Sequence, residues 1–137
     1  MTCLFCEIAA GAVPAEIVYQ DNQAVAFLDL RPLFPGHVLL VPRRHVVTLA
    51  DLPAGDVAGF FQIAQRMETA VERGMEAEGS FIAINNRVSQ SVPHLHVHIV
   101  PRRGKDGLKG FFWPRAPYRD DAHRKETGDK IRAALGA

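Results

Sequence analysis

The chain carries almost no net charge, with 16 Lys and Arg against 15 Asp and Glu. A broad basic face for gripping nucleic acid is therefore not expected. No apolar run is long enough to cross a bilayer. The first residues also lack the charged-then-apolar pattern of a secretory leader. Cysteine is scarce, with only Cys3 and Cys6 present. Two thiols this close are no disulfide framework and point to metal or redox use in a reducing compartment. Internal repeats and linkers are missing too. The expectation is a cytoplasmic protein with neither membrane nor nucleic acid as partner. Its 137 residues, 47% of them apolar, suit a single globular domain spanning 1–137.

What is present is a patterned core. Ile17-Val18-Tyr19, Ala24 to Leu28 and His37 to Val41 are short β-prone runs. Asp21-Asn22 and a loop with Pro32, Pro35 and Gly36 separate them. Pro53 and Asp56 open a helix. Val57, Phe60, Phe61, Ala64, Met67, Val71 and Met75 recur along it at three- and four-residue intervals. That stripe reads as a helix face packed on a sheet, with Gly79 closing the segment. Ser80 to Ile84 follows as a strand, and Asn85 to Pro93 is a polar loop. A short helix around Asp120 to Leu135 ends the chain. Hairpin-like strands with helices set apart imply an α+β fold with a mostly antiparallel sheet of about five strands.

Three of the six histidines fall in one run, His94-Leu95-His96-Val97-His98, continued by Ile99-Val100-Pro101. As a strand stopped by proline, it turns all three imidazoles to one face and Leu95, Val97 and Ile99 to the other. Each buried imidazole needs hydrogen-bond partners, so the row is costly as core filler. Two chemistries explain it. Three histidines suit a catalytic zinc that keeps one position open for water. Alternatively, one neutral imidazole attacks the substrate while its neighbours orient it. The preceding Ser89-Gln90-Ser91-Val92-Pro93 offers hydroxyls, an amide and backbone N–H groups, the neutral donors that phosphate oxygens accept. Taken alone this loop is an ordinary polar connection. Likewise His37 and His45, at the two ends of an upstream strand, read singly as a backbone-bonded residue and a solvated one.

Together these residues resemble the histidine-triad (HIT) family. The signature is Gln90-Ser91-Val92-Pro93-His94-Leu95-His96-Val97-His98 with Pro101-Arg102 behind it. Cys3-Leu4-Phe5-Cys6-Glu7-Ile8 with Val13-Pro14-Ala15 is similar to the opening of bacterial members. Ala26 to Pro32, then Gly36-His37, Pro42 and His45, match the next block. Asp106-Gly107 with Phe112-Trp113 matches the C-terminal segment. The loop before Gln90 is about two residues shorter than the family pattern and lacks its glycines.

The resemblance implies a HIT-like fold, a homodimer, and a hydrolase or transferase acting at the α-phosphorus of a purine nucleotide. The substrate would be a dinucleoside polyphosphate, a nucleoside phosphoramidate or an adenylylated amine. His96 would be the nucleophile, with His98 and His37 supporting it. Ser89, Gln90 and Ser91 would hold phosphate oxygens, Asn85 would reach the same region, and Asp29 would accept ribose hydroxyls. Phe27 and Leu30 would line the base pocket. Cys3, Cys6, His45 and His94 would ligate a structural zinc, closed and four-coordinate. A metal-dependent hydrolase built on His94, His96 and His98, and a nucleotide-binding module without turnover, are the competing readings. The aromatic patch Phe111-Phe112-Trp113 reads as core, dimer contact or pocket wall. Arg115 reads as solvated or within reach of a polyphosphate.

Overall fold

The computed structural model describes residues 2–108 and 115–136. The patch Phe111-Phe112-Trp113 lies outside the described residues. The chain divides into two compact units, Met1–Asp106 and Gly107–Ala137. In the first, five strands form one antiparallel sheet: β1 (Ile17–Gln20), β2 (Ala24–Leu28), β3 (Val38–Pro42), β4 (Gly79–Ile84) and β5 (Val97–Arg102). Their order across the sheet is β1-β2-β3-β5-β4. Two helices accompany them, α1 (Leu4–Ala9) and α2 (Ala54–Gly74). The second unit holds α3 (Asp121–Leu135), capped by Asp120, which accepts the His123 backbone N–H. Among the described residues no helix is long and apolar enough to cross a membrane.

Strands β2 and β3 are apolar along their whole length because both faces of the sheet are covered. Alternation sends Ala24, Ala26, Val38, Leu40, Val97 and Ile99 toward Phe60, Ile63, Ala64, Met67 and Val71 of α2. The opposite face presents Val25, Phe27, Leu39 and Val41 to Phe5 and Ile8 of α1. Fully buried aliphatic side chains such as Leu40 each stabilise the fold by roughly 2 kcal/mol. This two-sided sheet sets the site, because β5 shows Val97 and Ile99 to the α2 core and frees His98 for the other face.

Several local expectations are corrected. Gly79 opens β4 and does not close the helix, which ends at Gly74. Met75 and Ala77 donate back to Val71 and Glu72 there, with Glu76 in the left-handed region at φ 52. Strand β5 starts at Val97, so His94 to His96 lie ahead of it, with His94 in a bend whose N–H donates to Val92 O at 2.8 Å. Pro101 lies inside β5: pairing with β3 ends at Ile99, so Pro101 has no β3 partner to satisfy. Helix α1 carried no clear periodicity in six residues and was not anticipated. Gly36, at φ +97 and against the Met75 side chain, makes the turn that delivers His37 to the head of β3.

Candidate active site and metal centre

Two groups of donors lie on the α1 side of the sheet. In the first, Cys3 and Cys6 at the start of α1 meet His45 and His94, with all donor atoms within 4.8 Å of one another. Cys3 Sγ is 3.3 Å from His94 Nδ1, and Cys6 Sγ is 3.4 Å from His45 Nδ1 and 3.5 Å from His94 Nδ1. The two Nδ1 atoms are 3.1 Å apart. A tetrahedral ion bound at about 2.3 Å to sulfur and about 2.0 Å to nitrogen spaces its donors about 3.3 to 3.7 Å apart, so the set fits zinc. The His94 ring is prepared for it. Its Nε2–H donates to the Pro42 carbonyl oxygen at 2.8 Å, which leaves Nδ1 bare. Burial, then the neighbouring Cys3 and Glu7, raise the Cys6 thiol above its ordinary range, so a cation is what would stabilise paired thiolates here.

The second group runs through His37, His98 and Asp29. The Leu33 backbone N–H donates to His37 Nδ1 at 3.1 Å. A neutral His37 therefore keeps its proton on Nε2, which lies 3.0 Å from His98 Nδ1 and 3.7 Å from Asp29 Oδ2. His98 in turn carries its proton on Nε2, a buried donor with no partner among the described residues. Metal ligation through His37 Nε2 would force a proton onto Nδ1, against the Leu33 N–H. The two rings are thus committed to N–H hydrogen bonding, which makes the triad a poor metal site although its donor atoms also lie within 4.8 Å of one another. Burial, then the His96 and His37 rings, lower His98 to about 4. Burial also lowers His37, partly offset by Asp29. Both rings are neutral at physiological pH.

His96 stands between the two groups. Its Nδ1 lies 2.7 Å from the His94 carbonyl oxygen, so Nδ1 carries the proton and Nε2 keeps a free lone pair. The ring is 3% exposed and packs edge-on against Phe5 and His98. The three histidines of the row thus have three different partners. Among the described residues, no group of potential metal ligands unites His94, His96 and His98, which removes the geometric basis for the three-histidine zinc centre.

His96 and His98 border a cleft of about 280 Å³ whose walls are mainly apolar. Of the residues expected to bind substrate, Phe27, Asp29, Leu30 and Ser91 line it, whereas Asn85, Ser89 and Gln90 do not. The Gln90 amide is spent on backbone, donating to Val47 O at 2.6 Å and accepting from Arg87 N at 3.0 Å. It braces a loop in which Arg87 (φ 70) and Ser89 (φ 61) adopt left-handed turns without glycine. That conformation costs roughly 1–2 kcal/mol per residue. Sequence reasoning missed the wall supplied by Leu4, Phe5 and Ile8 of α1. The available signal was the apolar pair Phe5 and Ile8, three residues apart, interleaved with the cysteines.

Fold and site together define a class: an antiparallel α+β domain that offers a row of differently bonded histidines to an apolar cleft. The sequence pattern of the HIT domain matches residues 10–105, and the chain belongs to the HIT family. An uncharacterised HIT-like protein of Mycobacterium tuberculosis is 39% identical over 140 residues, covering 98% of this chain and 94% of its own. The asymmetrical bis(5'-nucleosyl)-tetraphosphatase of Schizosaccharomyces pombe is 36% identical over 96 residues, covering 69% of this chain and 53% of that enzyme. Among solved structures, a Zn-bound histidine triad family protein of Mycobacterium smegmatis aligns with a TM-score of 0.74 at 37% identity, covering 98% of each chain.

Proposed function

We propose that this protein is a nucleotide hydrolase or transferase that works at the α-phosphorus through a covalent nucleotidyl intermediate on His96. The observation that carries this reading is the 2.7 Å bond from His96 Nδ1 to the His94 carbonyl, which leaves Nε2 as the nitrogen available to attack. The Nε2 lone pair forms a bond to phosphorus, and the bond to the leaving group breaks with its electron pair departing on that group. Water then attacks the same phosphorus, the P–N bond breaks toward Nε2, and the water's proton is released. The unpartnered His98 Nε2–H donates a hydrogen bond to an oxygen on the reacting phosphorus, where negative charge grows in the transition state.

The S. pombe relative supports a dinucleoside polyphosphate as the substrate class, with a purine nucleoside in the cleft. Asp29 at the mouth accepts ribose hydroxyls, and Phe27 lies against the base. Ser91 and nearby backbone N–H groups take the phosphate oxygens, while Gln90 acts on the loop and not on substrate. Cys3, Cys6, His45 and His94 would hold a zinc ion, which when bound cross-links α1 to the sheet and activates no water, since its four positions are filled. The active form is a homodimer.

Incubation with diadenosine tetraphosphate labelled at the α-phosphorus tests this. The wild type is expected to become labelled and to release AMP. His96→Gln is expected to lose labelling and at least about 10⁴-fold of turnover, with zinc content unchanged. Zinc loss together with activity would instead favour metal-centred hydrolysis, and unlabelled wild type that binds nucleotide without turnover would leave only a binding module.

A further inference from the structure

Helix α1 has six residues, and Cys3 at its N-cap makes no side-chain cap bond. A helix this short does not hold itself, so its anchors lie elsewhere. The Cys3 and Cys6 thiols reach across to His94 and His45. At the other end, Arg43 donates to the Ala9 carbonyl oxygen at 2.7 Å while also bonding Asp21 O at 2.6 Å and Gln20 Oε1 at 3.2 Å. Between the two cysteines sits Phe5, 5% exposed. Its ring meets His96 at 5.0 Å between centroids and 84°, His94 at 6.0 Å and 74°, and Phe27 at 5.3 Å and 64°. All three are edge-to-face arrangements within the attractive range.

Among the described residues the His96 ring has a single hydrogen bond, to the His94 carbonyl. One bond still lets an imidazole tilt and swing about it. The remaining freedom is removed by packing, with the Phe5 ring and the His98 ring both edge-on to His96. We infer that Phe5 is a positioning residue for His96, the link through which the cysteine–histidine cluster holds the nucleophile in its Nδ1–H, attack-ready pose. The cluster reaches His96 by two routes. One is the backbone of its own ligand His94, and the other runs from the thiols through α1 to Phe5. Filling or emptying the cluster therefore changes how firmly the nucleophile is aimed, although the ion takes no part in the chemistry.

The inference rests on His96 as the nucleophile, but its first readout needs no turnover. Long-range ¹H–¹⁵N spectra of the imidazoles, with His96 assigned by difference against His96→Gln, report the tautomer in zinc-loaded protein without substrate. The wild type is expected to show His96 as the Nδ1–H form. Phe5→Ala is expected to shift it toward an average of both tautomers, and Phe5→Leu, which keeps apolar volume but loses the ring edge, to lie between. Removing zinc from the wild type with a chelator is expected to give a similar shift, and little further change in Phe5→Ala.

In single-turnover reactions with saturating diadenosine tetraphosphate, the labelling rate is expected to fall about tenfold in Phe5→Ala, whatever happens to KM. If Phe5→Ala fails to fold, Phe5→Leu carries both readouts. Folded variants with His96 still wholly Nδ1–H and an unchanged saturated rate would reduce Phe5 to a wall of the cleft and overturn the inference. A wild type with the expected tautomer and no labelling would count against the proposed activity and leave the positioning role standing on the spectra.

Discussion

Two clusters of ligand-type side chains sit a few residues apart and differ in one respect that decides their chemistry. In the cysteine–histidine group, the backbone takes the proton-bearing nitrogen of His94, since Pro42 O accepts from Nε2–H. In the Asp29–His37–His98 group the backbone supplies the proton, since Leu33 N–H donates to His37 Nδ1. The first arrangement presents bare nitrogen to an ion. The second passes N–H polarity along two rings to an unpartnered donor at the cleft. Proximity of histidines alone does not distinguish rings that offer a bare nitrogen from rings that donate N–H, but the backbone partner of each ring does.

The sharpest way to break this contrast is to exchange the behaviours. Cys3→Ser or Cys6→Ser is expected to abolish zinc binding and to lower stability by about 3 kcal/mol or more, read as metal stoichiometry and a denaturant midpoint. Retention of a full equivalent of zinc would shift the metal to the Asp29–His37–His98 group and overturn the assignment. Next comes His37→Leu, which removes the N–H that orients His98. Turnover is expected to drop about 10²-fold with zinc content and melting behaviour of the cluster intact. An unchanged rate would mean that His98 is oriented without its neighbour.

The smallest effect concerns acid. His98 falls from its ordinary 6.5 to about 4, chiefly through burial and then through His96 and His37. Between those values the unfolded chain binds more protons than the folded one. The stability linked to this ring is therefore complete above pH 6.5 and is lost as the pH falls toward 4. Acid also releases zinc from thiolates, so the comparison has to be made against His98→Asn. The wild type should show the steeper loss of unfolding free energy between pH 6.5 and 4.5. Parallel slopes would show that His98 takes up a proton in the folded protein as readily as in the unfolded chain.

Much of the architecture is legible in the sequence alone. Short β-prone runs bounded by turn residues located β1 to β5, and a 3.6-residue period located α2, to within a few residues. The four-donor set Cys3, Cys6, His45 and His94 was implied by the family resemblance, and the structure brings those residues together. The row of histidines was legible as a row but not as three separate parts. Leu95, Val97 and Ile99 do share the face packed against α2, but the partner of each imidazole, the Pro42 carbonyl, the His94 carbonyl or the His37 ring, is supplied by the folded chain. Gln90 was expected on phosphate and instead spans Val47 and Arg87. A side-chain amide binds equally well to backbone or phosphate, and nothing in its spelling chooses.

Residue identity determined which elements form, which faces are apolar and which side chains have donor chemistry. Those follow from local sterics, side-chain period and functional group, all carried by the chain itself. Which nitrogen of each imidazole bears the proton, and hence which ring can ligate, attack or donate, was decided only by folding. That choice is made by the carbonyls of Pro42 and His94 and the N–H of Leu33, backbone groups whose direction comes from the assembled structure and not from their residue types.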